Sequence, residues 1–257
     1  MLPSLFVSHG APTILVEDTP AHRFLARFAA ELPRPEAVIV VSAHWERPAA
    51  AVTGAAMPET IHDFGDFGPE LARYRYAATG APTLAGEVAA ALTAAGIPAE
   101  VDPRRGLDHG AWVPMALLYP AADIPVLQVS VNPSGGPSWH LALGRALAPF
   151  RDRTLLLASG NLTHNLYELS WRDADAPMLA WAEEFAGWMS QALAEGREGD
   201  LLDYRRLAPF AVRNHPTEEH LLPLFAAMGA AGPGARGQRI HSSHSFGTLA
   251  MDAYRFD

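Results

Sequence analysis

Short apolar runs punctuate this 257-residue chain at 4–8, 37–44, 49–53, 97–101, 124–131, 154–158 and 237–241. Several are apolar at consecutive positions, as in "VIVVSA" and "TLLLA". That is the pattern of strands buried on both faces. Between them the period lengthens. Residues 21–32 put Phe24, Leu25, Phe28 and Leu32 on one helical face, and 83–96 is an Ala-rich helical run that ends in Gly. Residues 139–150 and 177–196 repeat the spacing. Strands alternating with helices predict an α/β fold, with a central, mainly parallel sheet flanked by helices on both faces. The Gly/Pro-rich stretch 229–237 reads as a loop following a helix. Residues 57–70 have no period and read as a long irregular loop. No linker interrupts the pattern, so residues 1–257 are expected to form a single domain.

Composition narrows the function. Apolar residues make up 49% of the chain, enough for one sizeable core, and the 18% that are charged do not suggest disorder. The net charge of −9 and the lack of any basic run argue against a nucleic-acid or anionic-lipid partner. There is no cysteine, which removes disulfides, thiolate metal sites and a thiol nucleophile. A metal would have to be held by histidine and carboxylate. The N-terminus lacks a signal-peptide pattern and no apolar run is long enough to span a membrane, so the expected setting is cytoplasmic.

The histidines then draw attention by position. "LFVSHG" and "VIVVSAHWE" are two apolar strands that each run into Ser or Ser-Ala and then a histidine, His9 and His44. Ligands of open parallel sheets collect at the carboxyl ends of strands. With the two strands side by side, joined by the 21–32 helix, two imidazoles would meet there and begin a zinc or ferrous site. His109 follows Asp108 at the start of a helical run near Trp112, where the helix dipole favours a neutral ring. His164 lies in a polar burst after the 154–158 strand, among small and amide residues. In "HPTEEHLLPL", Thr217 is the expected N-cap, with Glu218 and Glu219 in the first helical turn. Either Glu219 or His220 then stands as a third ligand. His241 and His244 precede a terminal strand. His22, His62 and His140 have no chemical company and carry no assigned role.

Six segments in order, "LFVSHGAPT", "VSAHWE", "LDHGAWVPM", "SGNLTHNL", "HPTEEHLLPL" and "HSFGTLAMDAYRF", together resemble the class III extradiol dioxygenases, most closely the 4,5-DOPA dioxygenase-like branch. The likeness runs from residue 4 to residue 256. It implies one divalent metal ion, Fe(II) for activity with Zn(II) as an alternative occupant, and it matches His9, His44 and His220 to the ligands. The better-known protocatechuate branch has a glutamate as third ligand, so Glu219 is the neighbouring alternative. The resemblance makes His164 the acid/base, or a fourth metal neighbour, and makes His109 a group that contacts substrate or oxygen as a neutral donor. The implied reaction inserts O2 into a catechol ring, with a DOPA-like aryl diol as the expected substrate and a muconic semialdehyde as product.

An amino-acid tail on that substrate would need partners, for which His215, Arg213, His244 and the 57–70 loop are the candidates. Two other readings are open on the same residues. A zinc-dependent hydrolase also uses three imidazoles and a water, and a non-enzymatic metal- or partner-binding relative would keep only some of the set. Monomer and homodimer are both compatible with the sequence.

Overall fold

The computed structural model describes every residue from Met1 to Asp257. The apolar runs become β1 (Ser4–Ser8), β2 (Ala37–Glu46), β3 (Ala50–Thr53), β4 (Ala99–Asp102), β5 (Val126–Val131), β6 (Thr154–Gly160) and β7 (Gln238–His241). The C-terminal segment adds β8 (His244–Ser245), β9 (Leu249–Ala250) and β10 (Ala253–Phe256). Eight strands form one sheet in the order β4-β3-β5-β2-β6-β1-β10-β7, and β8 pairs with β9 apart from it. The central four, β5-β2-β6-β1, are parallel throughout. Antiparallel pairing appears only outward of them, at β3 on β5, β10 on β1 and β7 on β10.

The helices are α1 (Pro20–Phe28), α2 (Pro69–Arg73), α3 (Pro82–Ala94), α4 (His109–Leu118), α5 (Gly136–Leu147) and α6 (Ala180–Glu195), then the short α7 (Glu198–Leu202), α8 (Tyr204–Leu207) and α9 (Ala211–Asn214), and last α10 (Leu222–Ala231). Side chains alternate across a strand, and here both faces are apolar. Leu5, Val7, Val38 and Val40 pack with α1 and α4 on one side. Phe6, Ile39 and Val41 point the other way, toward α3, α5, α6 and α10. The sheet is thus covered on both faces, as the consecutive apolar runs predict.

Four expectations need correction. β1 and β2 are not neighbours, because β6 lies between them and pairs with both. The helix expected from Thr217 starts only at Leu222, capped by Leu221. The physical reason is visible in the backbone. The His220 carbonyl accepts the Asn161 N–H at 2.9 Å, and the Leu224 N–H goes to Leu221 instead, so residues 216–221 are a turn. Glu218 is drawn off to the Tyr204 hydroxyl, 2.8 Å away, so it does not load a helix N-terminus. The 21–32 helix also stops at Phe28 and finishes as one tighter turn, while the helix near Trp112 begins earlier, at His109. Residues 57–68 are irregular, as expected, while 69–70 open α2; an isolated bridge pairs Thr60 with Leu107, outside the sheet.

Candidate metal centre

Three chain segments meet at the carboxyl ends of the central strands. His9 follows β1 directly and its N–H donates to the Gly160 carbonyl at the end of β6. His44 stands near the end of β2, two residues beyond Ser42, the last residue of β2 to pair with β6, where it sits opposite Ser159. His220 lies on the turn before α10. The backbone of that turn rests on Gly160, where an added Cβ would fall 2.0 Å from the His220 carbonyl oxygen. Only glycine leaves room for that approach. The three rings therefore converge above the end of β6, although β1 and β2 are separated by it.

The convergence is close. His9 Nε2 lies 3.1 Å from His44 Nε2, and His44 Nε2 lies 3.2 Å from His220 Nε2. Metal–nitrogen bonds of about 2.0–2.1 Å at right angles put adjacent nitrogens about 3 Å apart. The opposite edge of two of the rings is already committed. Ser159 Oγ donates to the Gly110 carbonyl, so it must accept from His9 Nδ1–H, at 2.9 Å. Glu219 Oε1 accepts from His220 Nδ1–H at 2.8 Å. Both rings thus turn a bare Nε2 lone pair inward. His44 can offer a proton to only one of them, so at least one Nε2···Nε2 contact sets lone pair against lone pair. A shared cation removes that conflict. The donor set is neutral imidazole throughout, which suits a divalent first-row metal.

Burial keeps the rings neutral. It pushes the pKa of His9 and His220 well below the usual histidine range, with the neighbouring imidazoles adding to the effect. Burial, and then His109, brings His44 down to about 3. His164 lines the same cavity with its ring stacked on His220, centroids 3.4 Å apart and planes 12° from parallel. Burial lowers it to about 4, with His215 contributing.

His109 sits at the first position of α4, placed there by its neighbour. Asp108 is fully buried, accepts from Ala111 N–H as the N-cap, and takes hydrogen bonds from Ser42 and Gln128. Asp63, from the irregular loop, accepts both the backbone N–H and the Nδ1–H of His109, at 3.0 and 2.9 Å. Burial raises Asp63, but the His109 hydrogen bonds and charge outweigh it and hold the carboxyl at about 2. Asp63 is therefore an acceptor only, and neutral His109 is left with a lone pair on Nε2. The expectation of a neutral donor at this nitrogen is corrected: it accepts when neutral and donates only when protonated.

The remaining candidates fall elsewhere. His215 is buried away from the cavity and donates through Nε2 to the Leu162 carbonyl, tying the His164 segment to the chain before α10. Arg213 forms a two-point pair with Glu168 and lies over the Trp181 ring. His244 is exposed on β8. None of the three lines the cavity. Glu219 serves as a partner to His220. Asp63 and Ser159 went unassigned in the sequence reading. Asp63 lay within the flagged 57–70 loop, while nothing local marks Ser159 as a ring partner.

An α/β sheet with a three-imidazole centre at the carboxyl ends of its parallel strands defines a metal-centre protein. The particular family follows from comparison. The family model described as the catalytic LigB subunit of aromatic ring-opening dioxygenase matches residues 3–256, and the chain belongs to that family. It is 38% identical to a 4,5-DOPA dioxygenase extradiol of Beta vulgaris, with 98% of this chain and 96% of that one aligned. Its identity to a protein of the same name from Escherichia coli K12 is 39%, covering 89% of this chain and 85% of the relative. A crystal structure of an uncharacterised Escherichia coli K12 protein superimposes with a TM-score of 0.84 at 33% identity, covering 100% of both chains. The chain is therefore an extradiol ring-cleaving dioxygenase, an oxidoreductase that takes a small aromatic substrate and O2. The chemistry of the family is metal-dependent.

Proposed function

We propose that His9, His44 and His220 hold one divalent metal, Fe(II) in the active enzyme, and that the substrate is a DOPA-like catechol opened to a muconic semialdehyde. The observation that carries the metal site is the pair of Nε2 contacts at 3.1 and 3.2 Å that His44 makes with His9 and His220, whose outer nitrogens are already bonded. When bound, the metal lowers the pKa of the chelating hydroxyls and couples the diol to O2.

This chain's own groups do the rest. Neutral His164, in contact with the cavity, accepts a hydroxyl proton from the incoming diol and can return it later. His109, held by Asp63, turns its free nitrogen toward the reacting oxygens and pairs with a proton there. The apolar wall formed by Phe64, Phe67 and Leu249 holds the ring and limits water. Zinc is the other occupant that three imidazoles accept, and it would bind without supporting the oxidation. A cytoplasmic setting and a monomer or homodimer complete the reading; no helix is long and apolar enough to cross a membrane.

The test uses metal-free protein, reloaded anaerobically with Fe(II), given a catechol and then exposed to air. Oxygen uptake matched by a yellow ring-opened product is the expected result. No uptake with any catechol, together with ester or amide hydrolysis by zinc-loaded protein, would refute it.

A further inference from the structure

The diol end of the cavity is accounted for, but its outer part is not. The cavity measures about 220 Å³, small for a ligand site. Beyond the histidines, Asp63, Asn161 and the 10–12 segment, its wall is built from Phe64, Phe67, Leu166, Leu169, Trp171 and Leu249. Two of these are left open at the rim, Leu166 at 45% and Trp171 at 52% exposure. Exposed apolar groups concentrated around a concave opening mark a surface made to be covered.

The charges point the same way. The chain has no lysine, so all 19 of its basic residues are arginine, and none of them lines the cavity. Arg213 is spent on Glu168. Arg172 follows Trp171 but is exposed and outside the cavity. The one carboxylate that lines it is Asp63. A carboxylate on the ring substituent would lose water against apolar walls with Asp63 nearby and no cation to replace it.

We propose that this pocket selects catechols whose ring substituent is uncharged and apolar over those carrying a carboxylate or amino-acid tail, with Trp171, Leu166 and Leu169 as the specificity-determining residues. This rests on the ring-opening reading above and departs from its DOPA-like substrate, whose amino-acid tail carries the carboxylate that such a pocket disfavours.

The test compares 4-propylcatechol with dihydrocaffeate, the same ring and chain length ending in a carboxylate, and with L-DOPA. The Fe(II)-loaded enzyme should favour 4-propylcatechol by about tenfold or more in kcat/KM, carried by KM. Zinc-loaded protein, followed by tryptophan fluorescence, should show the same order in Kd without any turnover. Leu169→Arg should bring the dihydrocaffeate ratio close to one. Trp171→Ala, at an exposed position, should weaken 4-propylcatechol several-fold and leave dihydrocaffeate unchanged. Arg172→Ala should alter neither.

Equal or better use of dihydrocaffeate, or an Arg172→Ala effect confined to the carboxylated compounds, would overturn the proposal while leaving ring opening intact. Absence of oxygen uptake with all three would defeat the ring-opening reading instead. In that case the Kd order on zinc-loaded protein still decides selectivity.

Discussion

A neutral imidazole presents one lone pair, and the partner of its other nitrogen decides where that lone pair points. At this centre the partners are Ser159 for His9 and Glu219 for His220. Ser159→Ala should release the His9 ring to either tautomer and weaken metal binding by about 10–100-fold, read by titration against a chelator. An unchanged affinity would show that the Gly110–Ser159–His9 chain of hydrogen bonds does not orient the ring. His164→Ala should behave in the opposite way. The metal content stays, because the three converging nitrogens are untouched, while turnover falls by about 10²–10⁴. Metal lost in parallel with activity would make His164 a ligand. The histidines themselves were legible in the sequence because a titratable ring at the end of an apolar strand is a local anomaly. Their partners were not. Asp63 reaches His109 across 46 residues and Ser159 reaches His9 across 150, and a hydrogen bond at such separation leaves no local pattern.

Among the elements, the close pairs set the geometry of the centre. α10 carries the turn of His220 and packs on α5 with almost no gap. A Cβ on Gly229 would lie 2.1 Å from the Leu141 carbonyl oxygen, and one on Gly144 would lie 2.0 Å from that of Ala226. The obstacle is backbone in each case, which cannot swing aside as a side chain does. Gly229→Ala should therefore push the helices apart and cost about 1–3 kcal/mol or more in urea unfolding. No cost, or the gain of up to about 1 kcal/mol that alanine gives in an unobstructed helix, would mean that the helices slide rather than separate. Element type was largely readable, since a consecutive apolar run and a period of three to four are local properties of β2 and α6. Strand order was not. Nothing within 4–8 or 37–46 encodes that β6, more than a hundred residues later, inserts between them. The turn at 216–221 escaped for a similar reason: Thr217 is a fair N-cap by composition, but the His220 carbonyl is claimed by Asn161 from another part of the chain.

For the molecule as a whole, buried neutral histidines link stability to pH. His140 and His215 are away from the metal centre and are fully buried. Burial lowers each to about 4, although the Gly136 and Leu162 carbonyls they bond pull the other way. Unfolding returns both rings to water, where the pKa is about 6.5. Between those two values the unfolded chain binds more protons than the folded one, so stability must rise with pH across that window. The contribution is fully present above pH 6.5 and declines as the pH falls toward 4. At pH 5 the loss is about 2 kcal/mol for each ring. The converging rings of His9, His44 and His220, lowered in the same direction by burial, deepen the decline in metal-free protein. Divalent metal should offset their share at neutral pH, because it binds only the folded arrangement of three neutral rings. Urea unfolding of the metal-free protein at pH 7.5, 6 and 5 should therefore show a falling free energy, and His140→Gln should flatten part of that slope even if it lowers stability at pH 7.5. A profile that stays level from 7.5 to 5 would mean that the buried rings take up protons without leaving the fold. Neutrality would then not be what burial imposes on the histidines of this protein.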